Sequence, residues 1–301
     1  HPGDPVKLLE AIRAVNPALA GRGLLEAGLP GVRGQWMGGL LIGLEVEGDL
    51  QHTWRALRED LLADLYAPAL HLRSRVQAGE VLGRLGDPRL RWVETPAGRL
   101  IAPEMVLVPG GRYRLGRDRQ DEEAYEDEWN GGWVELPDFW IGRRPVTNAE
   151  FACFVAAGGY EQEDWWQGEL AQRWRQGEAV GGGRLMAVLE VWEFLQNTPN
   201  WRAALRGRVT QEIEAYEKLA RMTRQEVQGT FAESAEEVRR SRPAFWAVAE
   251  FNWPTQPVVG VTWFEARAYC AWLSAQTGVM FDLPSEPCWE AGAGGRAGLR
   301  Y

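Results

Sequence analysis

The sequence predicts a mixed α+β protein in which a helical N-terminal region precedes a domain of short strands and capped helices. Before Pro96 the apolar residues recur at helical spacing, whereas after it short β-type runs alternate with turn signals. Two later segments begin with Thr followed three residues on by Glu, the capping-box pattern that starts a helix. Helices and strands interspersed in this way are typical of the α+β class.

Residues 1–100 are predicted to be an all-α region. Asn16-Pro17 has the form of an N-cap followed by proline at the first helical position. A second helix is predicted over residues 50–65, where the apolar residues form one stripe, and a third helix is predicted over residues 72–88. Each of these stripes needs a partner surface, so we expect the helices to pack on one another.

Residues 103–142 change to a strand pattern. The segment "EMVLVPGGRYRLG" at 104–116 predicts two short strands around a Pro-Gly-Gly turn. The segment "WVELPDFWIG" at 133–142 predicts a second pair, broken at Pro137. The acidic stretch at 118–129 is expected to be a solvated loop, since calcium loops also need a turn glycine and ligands at alternating positions.

Two helices with clear start signals follow. Thr147 and Glu150 form a capping box before "FACFVAAGGY", and Thr262 and Glu265 repeat the pattern before "ARAYCAWLSAQTG". Between them, residues at about 178–240 carry two amphipathic faces and look like an insertion. We prefer a helical hairpin folded on its own host domain; the alternative is a helix that binds a partner or a second copy.

The order of these segments resembles the formylglycine-generating enzyme (sulfatase-modifying) family. The matching segments are "PEMVLVPGGRYRLG", "FWIGRRPVTNAEFACFVAAGGY", the tryptophans at 165–166, "QPVVGVTWFEARAYCAWLS" and "FDLPSEPCWEAGAGG". The resemblance covers residues 103–301 apart from the helical insert, and it implies a C-type lectin fold. The helices of residues 1–100 resemble the HEAT-like helices that precede such domains in NACHT-type ATPase proteins.

The resemblance also implies where catalytic groups lie. In catalytic members the reactive cysteine pair, the copper that it binds and most of the substrate groove follow the segment that matches "LPSEPCWEAGAGG". We therefore expect the 103–301 domain to be C-terminally incomplete and its binding surface to lie downstream of Tyr301. Asp282 and Cys288 depart from the arginine and glutamate usual in the family. We predict no catalytic residue, no metal ligand and no cofactor in this chain.

The composition disfavours some classes of binding partner. The net charge of −9 lies in residues 103–301, because residues 1–102 hold 12 basic and 12 acidic side chains. This excess of acid disfavours nucleic acid and anionic membranes as partners. The longest nearly apolar run, at 37–46, is about half of the roughly 20 residues that a membrane-spanning helix needs. Three widely spaced cysteines do not form a disulfide framework, so we expect a cytoplasmic protein.

Other catalytic patterns are missing from the sequence. His1, His52 and His71 are the only histidines, and none has the spacing of a zinc-binding helix. Their placement also argues against the iron-dependent sulfoxide synthases that share this domain in the family. The sequence has neither a Walker-type phosphate loop nor a Gly-x-Ser-x-Gly nucleophile elbow.

Sixteen tryptophans are many for this length. Trp263 and Trp272 lie in the second capped helix, and we expect them to anchor the core. Trp165 and Trp166 fall at the end of an element, where an exposed aromatic ring can contact a ligand. They are the candidate binding residues of this chain.

Three functions remain open. The preferred hypothesis is a non-catalytic module that binds an unknown protein or small ligand, a lectin-type scaffold that resembles the variable proteins of diversity-generating retroelements. The second is a copper-dependent formylglycine-generating oxidase, if a downstream part of the protein supplies the cysteine pair. The third is the sensor domain of a signalling ATPase.

Overall fold

The computed structural model describes residues 4–117, 131–178, 183–204, 210–233 and 239–296. The chain forms two compact units: the first comprises His1–Trp165 together with Ser241–Tyr301, and the second is Trp166–Arg240. The N-terminal region and most of the segments that carry the family resemblance therefore pack within the first unit.

Four helices lie within residues 4–86 and share one core. They are α1 (Pro5–Arg13), α2 (Pro17–Glu26), α3 (Leu50–Tyr66) and α4 (Leu72–Gly86). The Asn16 side chain accepts a hydrogen bond from the Leu19 amide at 2.9 Å, which confirms the predicted cap. The helices bury a common set of aliphatic side chains, whose removal from water stabilises the packing. The large side chains most deeply buried in it are Leu24, Leu57, Leu61, Val81, Leu82 and Leu85.

Two β-hairpins also lie in this region, so the prediction that residues 1–100 are all-α is wrong. The hairpins are formed by β1 (Val32–Met37) with β2 (Leu40–Val46), and by β3 (Arg91–Thr95) with β4 (Gly98–Ala102). Gly38 and Gly39 join the first pair with φ of +54° and +79°, and such a two-residue hairpin turn favours glycine at both positions. On β2 the residues that alternate inward, from Leu40 to Val46, are buried. This period of two after a Gly-Gly pair is the signal for a hairpin that the helical interpretation missed.

The predicted strands of residues 103–142 are confirmed, and they form one long antiparallel ribbon. Its strands are β5 (Met105–Val108), β6 (Gly111–Arg114), β7 (Trp133–Leu136) and β8 (Phe139–Gly142). β5 pairs with β8, and β6 pairs with β7. The ribbon is interrupted where Pro109 and Pro137 stand between the strands, and there the Gly110 amide donates to Asp138 Oδ1 at 2.5 Å. The acidic stretch 118–129 lies outside the described residues.

Three further α-helices lie among the described residues of the first unit. They are α5 (Asn148–Ala156), α11 (Trp263–Thr277) and α12 (Glu286–Gly294). Both predicted capping boxes are present, at Thr147 with Glu150 and at Thr262 with Glu265. α5 and α11 pack through buried aromatic rings, and Tyr269 stacks on Phe151 with ring centroids 5.3 Å apart. Trp272 belongs to this core, but Trp263 is 61% exposed, so its predicted core role is wrong because it occupies the outer side of the first turn of α11.

The second unit is helical. Its helices are α6 (Glu169–Arg175), α7 (Gly183–Asn197), α8 (Trp201–Ala204), α9 (Thr210–Ala220) and α10 (Arg224–Glu233). α7 packs against α9 and α10, and the Trp192 indole donates to the Met222 carbonyl at 2.8 Å. The side chains of Leu185, Leu205 and Val209, part of the predicted apolar faces, lie outside the described residues. No described helix of either unit is both long enough and apolar enough to cross a bilayer.

Candidate functional site

A cleft of about 290 Å³ opens in the first unit between α4 and the start of α5. Its size is just below the roughly 300–1,000 Å³ typical of ligand pockets, which suits a small molecule or a single side chain. The lining combines aliphatic side chains with ionised groups. The aliphatic residues are Leu65, Val76, Leu90 and Ala102, and the charged residues are Glu80, Asp87, Arg89, Glu104, Arg144 and Glu150.

One wall is a buried ion pair just beyond α4. Asp87 is 4% exposed and accepts hydrogen bonds from the Arg89 amide at 2.8 Å and from Arg89 Nε at 2.9 Å. Arg89 also donates to the Tyr66 hydroxyl at 3.2 Å. The hydrogen bond with Asp87, more than any other contact, raises the pKa of Arg89 above its usual range. Since the guanidinium is held by both partners, this wall is rigid and its positive charge is already neutralised.

The rim opposite is also an ion pair, but it is exposed to solvent. Glu104 precedes β5, and its carboxylate accepts from Arg143 Nε at 2.8 Å and from Arg144 Nη2 at 2.9 Å. The Arg144 side chain is 43% exposed. Such exposed pairs add little to stability. Because the one Glu104 carboxylate is shared by two guanidinium groups, it only partly offsets the charge of Arg144 in the cleft.

The carboxyl group of Glu150 lies at the capped start of α5 and lines the cleft. Its Oε2 accepts from the Thr147 amide at 2.6 Å and from the Thr147 hydroxyl at 2.8 Å. Among the described residues no donor reaches Oε1, although the residue is only 7% exposed. Burial raises the pKa of Glu150, while the Thr147 hydrogen bonds and the charge of Arg144 act in the opposite direction. A buried carboxyl with one free oxygen can accept a hydrogen bond or a positive charge from a ligand.

Trp253 lines the remaining side and is held by two elements. The side-chain amide of Asn148, at the start of α5, donates to the Phe251 carbonyl at 2.7 Å and to the Trp253 carbonyl at 2.9 Å. The Arg84 guanidinium of α4 lies over the Trp253 ring, 3.6 Å from its centroid. The loop is thus fixed to both helices, and the cleft is present before any ligand binds.

The candidate binding residues Trp165 and Trp166 do not line this cleft. Trp166 is 1% exposed and stacks on Trp174 in the second unit, with centroids 5.4 Å apart. Its ring therefore offers almost no surface to a ligand. Trp165 ends a short 3₁₀ turn, Glu163–Trp165, and its buried indole nitrogen has no hydrogen-bond partner among the described residues. A binding role for Trp165 stays a prediction.

The cysteines lie in helices, and all three are free thiols. Cys153 in α5 is 4% exposed, and burial raises its pKa to about 11. Burial also raises the pKa of Cys270 in α11 to about 11. Since the thiolate is the reactive form and the metal ligand, neither group is suited to such chemistry at neutral pH. Within the described part of the chain, no three His, Cys, Asp or Glu side chains are grouped to hold a metal ion.

Sequence reasoning found part of this cleft without recognising it. Thr147 and Glu150 were assigned a capping role, which the structure confirms. The cleft is also lined by Glu80, Asp87 and Trp253. These residues come together only through the packing of α4, which no local sequence pattern indicates.

Comparison with known proteins assigns a family. A family model described as "Sulfatase-modifying factor enzyme 1-like domain" matches residues 93–301. A hercynine oxygenase of Mycolicibacterium smegmatis is 29% identical over 216 residues, which is 71% of this chain and 38% of that protein. A formylglycine-generating enzyme of Thermomonospora curvata is 28% identical over 210 residues, covering 67% and 52%. A protein of Bos taurus named "Inactive C-alpha-formylglycine-generating enzyme 2" is 28% identical over 215 residues, covering 70% and 55%.

The chain spans between 38% and 55% of the length of these relatives. The family model, by contrast, covers well over half of the chain, and its residues include the ribbon, both capping boxes and α12. On this evidence the chain belongs to the family of sulfatase-modifying factor enzyme 1-like domains.

Proposed function

We propose that this chain is a non-catalytic binding module that takes a small ligand, or one side chain of a partner protein, in the cleft between α4 and α5. The observation that carries the proposal is the cleft itself, because ion pairs, hydrogen bonds and a stacked ring fix its walls in advance. A preformed site of this kind lowers the entropic cost of binding.

The family supports this proposal without deciding it. One relative carries the word "Inactive" in its name, so membership does not by itself imply catalysis. We extend the proposal to a C-type lectin fold for residues 103–301 and to a recognition role like that of the retroelement variable proteins. The HEAT-like character of the α3 and α4 pair belongs to the same proposal, whereas a role as the sensor of a signalling ATPase is a separate alternative to it.

The test is a fragment screen by ligand-observed NMR on the purified chain, followed by two matched variants. Val76 lines the cleft from α4 and is 50% exposed, so Val76→Trp fills the cleft without disturbing the core. Leu72 lies one turn earlier, is 67% exposed and does not line the cleft, so Leu72→Trp is the control. We expect Val76→Trp to abolish binding of the cleft ligands and Leu72→Trp to preserve it. Equal binding to both variants would refute a ligand site in the cleft.

A second candidate function is a copper-dependent oxidase, which the similarity to a formylglycine-generating enzyme favours. Under our proposal, the chain supplied with copper and oxygen leaves a Cys-x-Pro-x-Arg peptide unchanged. The raised pKa of Cys153 and of Cys270 supports this expectation, because both thiols remain protonated at neutral pH. Conversion of the peptide cysteine to formylglycine by this chain alone would establish the oxidase instead.

A further inference from the structure

We propose that the cleft binds a primary alkylammonium group, such as a small amine or the side chain of a lysine, with the ammonium on Glu150 Oε1. This inference rests on the proposed function and names the chemistry of its ligand. It depends on three features of the cleft: which charges are already paired, how many carboxylate oxygens lack a donor, and which apolar side chains line it.

The charges that remain unpaired in the cleft are negative. Arg89 is bound to Asp87, and Arg144 is bound to Glu104, so each guanidinium that lines the cleft already has a carboxylate partner. Glu80 makes no hydrogen bond or ion pair with any described residue, although its charge interacts with that of Arg84, one turn further along α4, whose guanidinium lies over Trp253. Glu80 and Glu150 are therefore the charges that a ligand meets, and they select a cation.

The geometry of Glu150 favours an ammonium over a guanidinium. Both Thr147 bonds end on Oε2, which leaves Oε1 as the one oxygen without a donor among the described residues. A guanidinium binds best when it can donate to two carboxylate oxygens at once, whereas an ammonium is a compact charge that needs only one. A single free oxygen thus suits the ammonium.

The apolar part of the cleft lining suits an alkyl chain. Leu65, Val76, Leu90 and Trp253 line the same cleft as Glu150, so methylene groups that follow the ammonium are removed from water. The small volume of about 290 Å³ admits such a chain but leaves little room for a larger ligand.

The second capping box shows that the free oxygen is not a requirement of the cap. Glu265 accepts from the Thr262 amide at 2.6 Å through Oε2, as Glu150 does from Thr147. Its Oε1, however, accepts from the Tyr160 hydroxyl at 2.6 Å, and the residue is fully buried. The same local motif therefore has its second oxygen bonded within the protein in one helix, whereas in the other it has no described donor and belongs to a residue that lines the cleft.

Binding should depend on pH through Glu150. Burial raises the pKa of this carboxyl, and only its ionised form attracts an ammonium, so affinity rises with pH through the folded pKa and a proton leaves on binding. The charged groups that line the cleft with it are Arg144 before α5, Glu104 before β5, Glu80 on α4, and the Asp87–Arg89 pair after α4. Two titratable groups of the core, the Tyr269 hydroxyl of α11 and the Cys153 thiol of α5, also interact electrostatically with Glu150. Of these, the charge of Arg144 is the one that lowers the pKa of Glu150.

The experiment titrates the purified chain with n-pentylammonium and with 1-pentanol, its neutral counterpart, by two-dimensional NMR. We expect millimolar affinity for a ligand of this size. Pentanol should bind at least about tenfold more weakly, because its hydroxyl can still donate to the carboxylate but carries no positive charge. A third arm uses N-acetyl-lysine-N-methylamide. Similar affinity for this compound identifies a peptide lysine as the source, and much weaker affinity identifies a free amine.

The variants assign the binding to its carboxylates. Glu150→Gln keeps an acceptor for the cap but removes the charge, so we expect it to weaken pentylammonium binding at least about tenfold. Glu265→Gln makes the same change in the matched cap and should leave binding unchanged. If Glu150→Gln fails to fold, Glu80→Gln, whose side chain has no hydrogen bond to lose, should still weaken binding severalfold.

Two results separate failure of this inference from failure of the proposed function. In the first, Val76→Trp blocks the binding of fragments, but the chain does not prefer pentylammonium to pentanol. This result would overturn the ammonium inference and still support the binding module. If no fragment binds in a way that Val76→Trp blocks, both proposals fail.

Discussion

The two capping boxes share a sequence pattern and a set of local hydrogen bonds, but their surroundings differ. In each, a Thr hydroxyl accepts from the Glu amide at 3.3 Å, and the Glu side chain accepts from the Thr amide at 2.6 Å. Glu265 is enclosed by the aromatic core and bonded to Tyr160, whereas Glu150 lines a cleft. The comparison teaches that a local motif fixes where a helix starts, while tertiary packing decides whether the same side chain is structural or can also bind.

The two caps should differ most in how much stability is lost when the carboxyl group of each Glu is removed. Glu265→Ala leaves the Tyr160 hydroxyl and the Thr262 amide without their acceptor and creates a cavity, so we expect a loss of about 3–5 kcal/mol in the free energy of unfolding. Glu150→Ala should cost only about 1–2 kcal/mol, the usual value of a cap. Urea denaturation measures both, and losses equal to within about 0.5 kcal/mol would contradict the distinction.

The next largest effect on stability should come from the Asp87–Arg89 pair that forms one wall of the cleft. Asp87→Asn removes the charge that holds Arg89, whose side chain is 23% exposed, so we expect a loss of about 2–3 kcal/mol in the free energy of unfolding. Glu104→Gln, in the exposed ion pair of the opposite rim, is the control and should cost less than about 1 kcal/mol. Thermal and urea unfolding check both, and an Asp87→Asn variant as stable as the control would show that the wall is not held by this pair.

A smaller effect concerns pH. The pKa of Glu150 is raised from its usual 4.5, so the folded state binds this proton more tightly than the unfolded state does. Its contribution to stability is complete below the unfolded pKa and is lost as pH rises through the folded pKa. The stability of Glu150→Gln relative to the unmodified chain should therefore increase as pH rises from about 4 into the neutral range. A difference that falls over this range would contradict the raised pKa.

The smallest effect concerns the alkylation rates of Cys153 in α5 and Cys270 in α11. With a pKa of about 11, roughly one Cys153 or Cys270 thiol in a thousand is ionised at pH 8. We expect iodoacetamide to alkylate both slowly in the folded chain, with rates that rise about tenfold for each unit of pH. Peptide mass spectrometry of timed samples measures this. Rapid labelling of Cys153 at pH 8 would show that the α5 side of the core opens easily.

Local chemistry predicted much of the fold. The Asn16 cap, both capping boxes and the four strands between Met105 and Gly142 follow from residue types at fixed spacings, because their hydrogen bonds join near neighbours in sequence. The hairpin at Gly38 and Gly39 was equally readable, but its strands were taken as part of a helical region.

The candidate site was harder to predict, because it joins distant segments. Glu80 on α4, Glu150 on α5 and Trp253 in a later loop meet only after α4 has packed beside the loop through Arg84. Trp166 was expected to be exposed at the end of an element, but its ring is covered by Trp174, a contact that sequence spacing does not reveal.

The most direct measurement follows the carboxyl carbons of Glu150 and Glu265 by ¹³C NMR across a pH titration, with and without saturating n-pentylammonium. Our account predicts that the ligand lowers the pKa of Glu150, because the ammonium stabilises its ionised form, and that the Glu265 signal does not change. An unchanged titration curve for Glu150 at saturation would contradict the claim that this carboxyl binds the ligand.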